Sequence, residues 1–95
     1  MTAGTAALTT AAATLYDATA PAGVDPECDR FCVTNPIGGT ANVLVNVAEI
    51  HKNGEWFWIP PGASFTFGCR QQAIRKVQAK TDTGTVTAYC GIVRA

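Results

Sequence analysis

The chain has 95 residues, seven basic and seven acidic side chains, and only 15% charged residues. One domain with a thin core is what that length supports, burying roughly two-thirds of its unfolded surface. Zero net charge removes the usual driving force for nucleic-acid and anionic-membrane binding, and no apolar run reaches the length of a membrane span.

Residues 1–20 are almost entirely Ala and Thr around Leu8, Leu15 and Tyr16. Alanine favours helix, and Leu8, Ala12 and Leu15 fall on one helical face. Five threonines and no charge before Asp17 favour an extended segment instead. The expectation is an extended N-terminal arm over 1–10, followed by a β-sandwich domain over 11–95 whose first strand spans 11–16. Such an arm would gain order by adding to a neighbour's sheet edge. The first basic residue is Arg30 and threonines interrupt the alanines, so Ala18-Thr19-Ala20 is not expected to act as a secretory cleavage site.

Residues 21–26 (PAGVDP) read as a loop. From Arg30 to Asn35, Phe31 and Val33 point one way and Cys32 and Thr34 the other, the alternation of a strand. Asn35-Pro36-Ile37-Gly38-Gly39 turns the chain, and residues 42–48 (NVLVNVA) form a strand with Val43, Val45 and Val47 inward. Asn53-Gly54 is the strongest local hairpin signal.

The pattern is organised around Gly54 to Gly68, GEWFWIPPGASFTFG. Phe65 and Phe67 share one face of a half-buried strand, opposite Ser64 and Thr66. In Trp56-Phe57-Trp58-Ile59 both faces are large and apolar. A sandwich strand has one core to face, so the surplus face must be covered by the chain or by a partner. Pro60 and Pro61 lack N–H groups and Gly62 tolerates positive φ, so the two runs should meet at a stiff corner.

Residues 74–80 (IRKVQAK) alternate imperfectly, because Ile74 and Val77 differ in parity, and a bulge is expected there. After the Asp82-Thr83-Gly84 turn, Val86, Ala88, Cys90 and Ile92 share one face of a last strand. The result is about seven short strands with turn signals every ten residues or so: an all-β single small β-sandwich or jelly-roll-like barrel.

Four cysteines, Cys28, Cys32, Cys69 and Cys90, leave three possibilities open: buried thiols, one or two disulfides such as Cys28–Cys69, or a four-thiolate zinc site. The zinc pattern is poor, since only Cys28 and Cys32 are close in sequence. His51, the one histidine, sits beside Lys52-Asn53-Gly54 and reads as an exposed hairpin-turn residue rather than a general base. Asp25, Glu27 and Asp29 lack the spacing of a calcium loop and read as a solvated acidic loop. Arg70, Arg75, Lys76 and Lys80 form a modest basic cluster, either an outward strand face or a rim for an acidic partner. No nucleophile–base pair or metal frame is visible, so no enzyme activity, cofactor or metal is expected. Trp56 and Trp58 could anchor a protein interface or stack on sugar rings; core packing for one face and a protein interface for the other is the preferred reading.

In order, these features are an Ala/Thr strand at Leu8–Tyr16, a strand ending in Asn35, the valine-rich Val43–Val47 and the Gly-started Gly54–Ile59. The corner Pro61-Gly62-Ala63-Ser64 with Phe65–Phe67 follows, then two strands joined by a polar Gly turn. Together they resemble small virion structural proteins of tailed phages. The resemblance covers most of the chain outside 21–27. It implies a head decoration (cement) protein that is not an enzyme, is often a trimer, is made in the host cytoplasm and sits on the capsid exterior against the major capsid protein. Under that reading the partner interface is Trp56, Phe57, Trp58, Ile59, Leu8 and Leu15. The alternatives are a carbohydrate- or receptor-binding β-sandwich module of a phage tail or adhesin, and a secreted disulfide-stabilised domain.

Overall fold

A computed structural model describes residues 3–17, 30–68 and 74–94. Eight strands are formed among these residues: β1 (Ala3–Leu8), β2 (Ala13–Asp17), β3 (Arg30–Thr34), β4 (Val43–Val47), β5 (Phe57–Ile59), β6 (Ser64–Gly68), β7 (Lys76–Thr81) and β8 (Val86–Arg94). The loop over 21–26, the acidic trio Asp25, Glu27 and Asp29, and Cys28, Cys69 and Arg70 lie outside the described residues.

The strands form two four-stranded sheets, ordered β1-β8-β3-β6 and β2-β7-β4-β5, with every pairing antiparallel. Consecutive strands largely cross from one sheet to the other, the two-sheet, eight-stranded arrangement of a jelly roll. The fold is therefore the expected small all-β sandwich.

Alternation builds the core as the sequence implies. Phe31 and Val33 from β3, Val43, Val45 and Val47 from β4, Val77 and Ala79 from β7, and Ala88 and Cys90 from β8 all enter one cluster. β-branched residues suit these pleated, crowded positions. Tyr16 of one sheet meets Phe31 of the other with ring centroids 5.2 Å apart and planes tilted at 46°.

Three local features differ from the sequence reading. The segment expected as an arm is extended, but Ala3–Leu8 pairs with the chain's own β8, from Ala3 opposite Gly91 to Leu8 opposite Val86. Leu8 is thereby drawn into the core, a gain that a free arm would forgo. The bulge lies on β2, where the register against β7 shifts between Thr14 and Tyr16. Ile74 and Val77 are both buried despite opposite parity because the ladder breaks at Arg75. There the Glu49 carboxylate accepts the Arg75 N–H at 2.9 Å and the Lys76 N–H at 3.4 Å, replacing a strand partner.

The Asn53-Gly54 signal gives a turn but no two-residue hairpin. The Glu55 N–H donates to Lys52 O at 3.0 Å, and Gly54 takes φ +83°. A hairpin turn of the primed type needs positive φ at Asn53 too, and only glycines adopt positive φ among the described residues. The chain instead makes a separate turn just after Val47, where the Ile50 and His51 N–H groups both donate to Val47 O.

Asp82 clamps the opposite end of β4 to the β7–β8 turn. Its Oδ1 accepts the Asn42 N–H and its Oδ2 accepts Asn42 Nδ2, both at 2.8 Å. The Asn42 side chain first, and its backbone N–H second, hold the Asp82 carboxyl below the usual aspartate value. A pKa lower in the folded than in the unfolded state contributes stability above the unfolded value, lost as pH falls through the folded one. Acidification from about pH 5 downward should therefore lower the urea midpoint, and Asp82→Asn should make that decline shallower. An identical decline in the variant would remove the clamp from the acid response.

Candidate functional site: the outer face of the tryptophan strand

β5 is short, and its two faces go to different places. Ile59 is fully buried in the core, and Phe57 points inward beside it. The Phe57 ring lies 4.7 Å from Phe65 and 5.4 Å from Phe67, both edge-on, and 6.2 Å from a stacked His51. These rings close the side of the sandwich where β5 and β6 form the edges of their sheets.

Trp58 has the opposite parity and stands on the outer face, 55% exposed. On the neighbouring strands it faces Leu44, which in turn faces Lys80. Leu44 is on the solvent side of β4, yet only 5% of it is exposed, so its flanking side chains cover it. Trp56 precedes β5 and is half-buried on the same side, with Lys80 Nζ 4.5 Å from its ring centroid. That is cation–π distance. The face thus consists of Trp58, Trp56 and Leu44, bordered by the Lys80 stem and ammonium group.

The corner after β5 holds this face rigid. The Ala63 N–H donates to Pro60 O at 3.1 Å with Gly62 at φ +82°, a type II turn with proline and glycine where that turn favours them. Asn35 ties the corner down. Its N–H donates to Ala63 O and its carbonyl accepts from the Gly62 N–H, while Nδ2 donates to Ala41 O and Ile59 O at 2.9 Å each. Beyond the other end of β5, Asn46 Nδ2 donates to Lys52 O at 2.9 Å and Glu55 O at 2.7 Å.

Of the residues expected at a partner interface, the structure brings Trp56 and Trp58 together on one exposed face. Phe57 is half-buried between the sheets. Ile59, Leu8 and Leu15 are buried in the core and present nothing to a partner, a correction with two causes. In a strand, alternate residues go to opposite faces, and an isolated leucine in an Ala/Thr segment is the residue that core burial favours most.

His51 is also not the exposed turn residue expected. It is half-buried, its Nδ1 accepts the Val47 N–H at 3.0 Å, and its ring packs edge-on to Phe67. Cys32 and Cys90 are thiols on opposite faces of the first sheet, and burial pushes the Cys90 thiol up. Among the described residues no three potential metal ligands cluster. The sequence reading missed Leu44 and Asn35. Leu44 could have been found as an apolar residue at an outward position of a strand adjacent to the tryptophans. Asn35 gives no such signal.

No protein family, curated protein or solved structure matches the chain. The face itself is therefore what bears on function. It offers a rigid apolar contact with one cation at its border.

Proposed function

We propose that the protein is a non-enzymatic structural protein that docks on a protein lattice through the outer face of β5, with Trp58 as anchor. The observation that carries this is Trp58 itself: more than half exposed beside Trp56 and Leu44, on a sheet whose inner face already fills the core. Large rings held by a stiff backbone lose little conformational freedom on binding, and buried tryptophans dominate interface energetics. The low charge density suits a surface meant for assembly rather than repulsion.

In its specific form the proposal is a capsid decoration protein of a tailed phage, bound to the exterior of the major capsid protein shell. The jelly-roll order supports it, since that fold recurs in viral capsid domains as well as in lectins. The order of sequence features resembling small virion proteins is the other support. On a repeating shell each contact can be modest, because many equivalent sites are occupied together.

Quantitative mass spectrometry of virions purified from the encoding phage tests the assignment. A copy number comparable to the shell protein is expected, and absence from the particle would overturn it. Trp58→Ala tests the face. Its unfolding midpoint should barely move, because exposed substitutions usually change stability by about 0.5 kcal/mol or less. Binding to depleted particles should fall roughly 30-fold, the equivalent of about 2 kcal/mol at a hot spot. Unchanged binding by a folded variant would exclude the face.

The adjacent indoles also favour a second reading, stacking on a glycan. It predicts glycan binding by the isolated protein that disappears in the same variant.

A further inference from the structure

The four edge strands of the sandwich are not equally protected. β5 has three residues and runs directly into Pro60 and Pro61, and β2 carries a register shift. Short length, proline and bulges are the usual means by which sheets discourage edge pairing. β6 has five residues in an unbroken register with β3 and lacks these devices, but it shares its side of the molecule with the ring cluster, where Phe65 is 40% exposed. β1 has none of these devices. Its six residues pair with β8 in an unbroken register, and among the described residues no strand lies along its other edge. No charged side chain occurs in the sequence before Asp17.

We infer that β1 pairs with β1 of a second copy of this chain, antiparallel and about a twofold axis, so that the two β1-β8-β3-β6 sheets become one eight-stranded sheet. Every pairing within the sheet is already antiparallel, so the added one continues the pattern. A twofold axis places each patch against itself, which sets like charges against each other wherever a strand carries them. β1 carries none. The backbone N–H and C=O groups of β1 that point away from β8 would supply the bonds, and the strands would approach to about 4.8 Å.

Parity narrows the register. Leu8 is buried and Ala6 packs against the core, whereas Thr5 and Ala7 are exposed on the outer face. Directly opposed residues in antiparallel strands lie on the same face, so the axis must pass through a residue and not between two. Centring on Thr5 pairs Thr5 with its own copy and Ala7 with Ala3; centring on Ala6 pairs Thr5 with Ala7. In either register, charges placed at both Thr5 and Ala7 meet across the axis. Pairing of β1 with β6 of the next copy would instead run head to tail and extend beyond two chains.

The pairing does not depend on the capsid reading, and its test uses the protein alone. Sedimentation velocity of the full chain should show a reversible monomer–dimer equilibrium that reaches dimer at the highest soluble concentration. The double variants Thr5→Lys/Ala7→Lys and Thr5→Glu/Ala7→Glu should each be folded by circular dichroism and monomeric. Mixing them should restore a dimer containing one of each. Hydrogen exchange on the unmodified chain supplies a measurement that needs no variant: alternate β1 amides should become slower as protein concentration rises. A wild-type chain that stays monomeric, a folded lysine variant that still dimerises, β1 exchange independent of concentration, or species longer than dimers would each overturn the inference.

Discussion

Replacing Asn35 with alanine is expected to lower stability by about 2–4 kcal/mol, because two buried carbonyls lose their donor together. The side chain is 1% exposed, and Nδ2 serves Ala41 O and Ile59 O at once. Oδ1 has no partner among the described residues, so the loss falls on the donor side. For a domain this small, stable by about 5–15 kcal/mol, that is a large fraction, and the melting midpoint should fall by roughly 10 °C or more. Asn35→Asp should be worse at neutral pH, since a carboxylate would face both carbonyl oxygens with no N–H to offer. The gap between the two variants should narrow in acid, where a protonated carboxyl regains one donor. Thermal unfolding of both variants across pH checks this; an alanine variant as stable as wild type would mean that the corner does not depend on the bridge.

Phe31→Ala should cost about 3–5 kcal/mol, the range for deleting a fully enclosed aromatic ring. The ring comes from the middle of the core and leans on Tyr16 of the opposite sheet, so its removal leaves a void that neither sheet can close alone. Phe31→Leu, which retains most of the volume, should lose much less. Urea unfolding gives both values. A cost below about 1 kcal/mol for the alanine variant would place Phe31 at the margin of the core.

The sequence made the inward face of the alternating strands plain. β3, β4 and β8 each place apolar residues at every second position, and a single core selects that face. Pro60-Pro61-Gly62 was equally readable, because ring closure and a missing side chain restrict the backbone locally. The surplus of apolar residues in β5 was visible too; which members face outward was not, because Trp56, Phe57, Trp58 and Ile59 are all acceptable inside. Burial of Phe57 and Ile59 follows from the register with Val45 and Val43, which local pattern does not encode.

β1 was harder. Alanine and threonine offer no contrast in size or polarity, so nothing in Ala3–Leu8 announces a strand until β8 stands beside it. Asn35 and His51 act through groups that folding brings to them, Ile59 O and the Phe67 ring, far along the chain. An isolated residue type carries no record of such a meeting.

The pairing of β1 with β8 has a consequence for biosynthesis. β1 leaves the ribosome well before β8, the strand it needs as its neighbour, since Leu8 sits opposite Val86. Contacts this distant in sequence require closure of a very long loop before they return any stabilisation, which makes folding slow, on the order of milliseconds to seconds. During translation β1 and β3 both wait for β8, which lies between them in the finished sheet. A chain cut short before Val86 would lack the strand that joins them, and its first sheet could not assemble in this order.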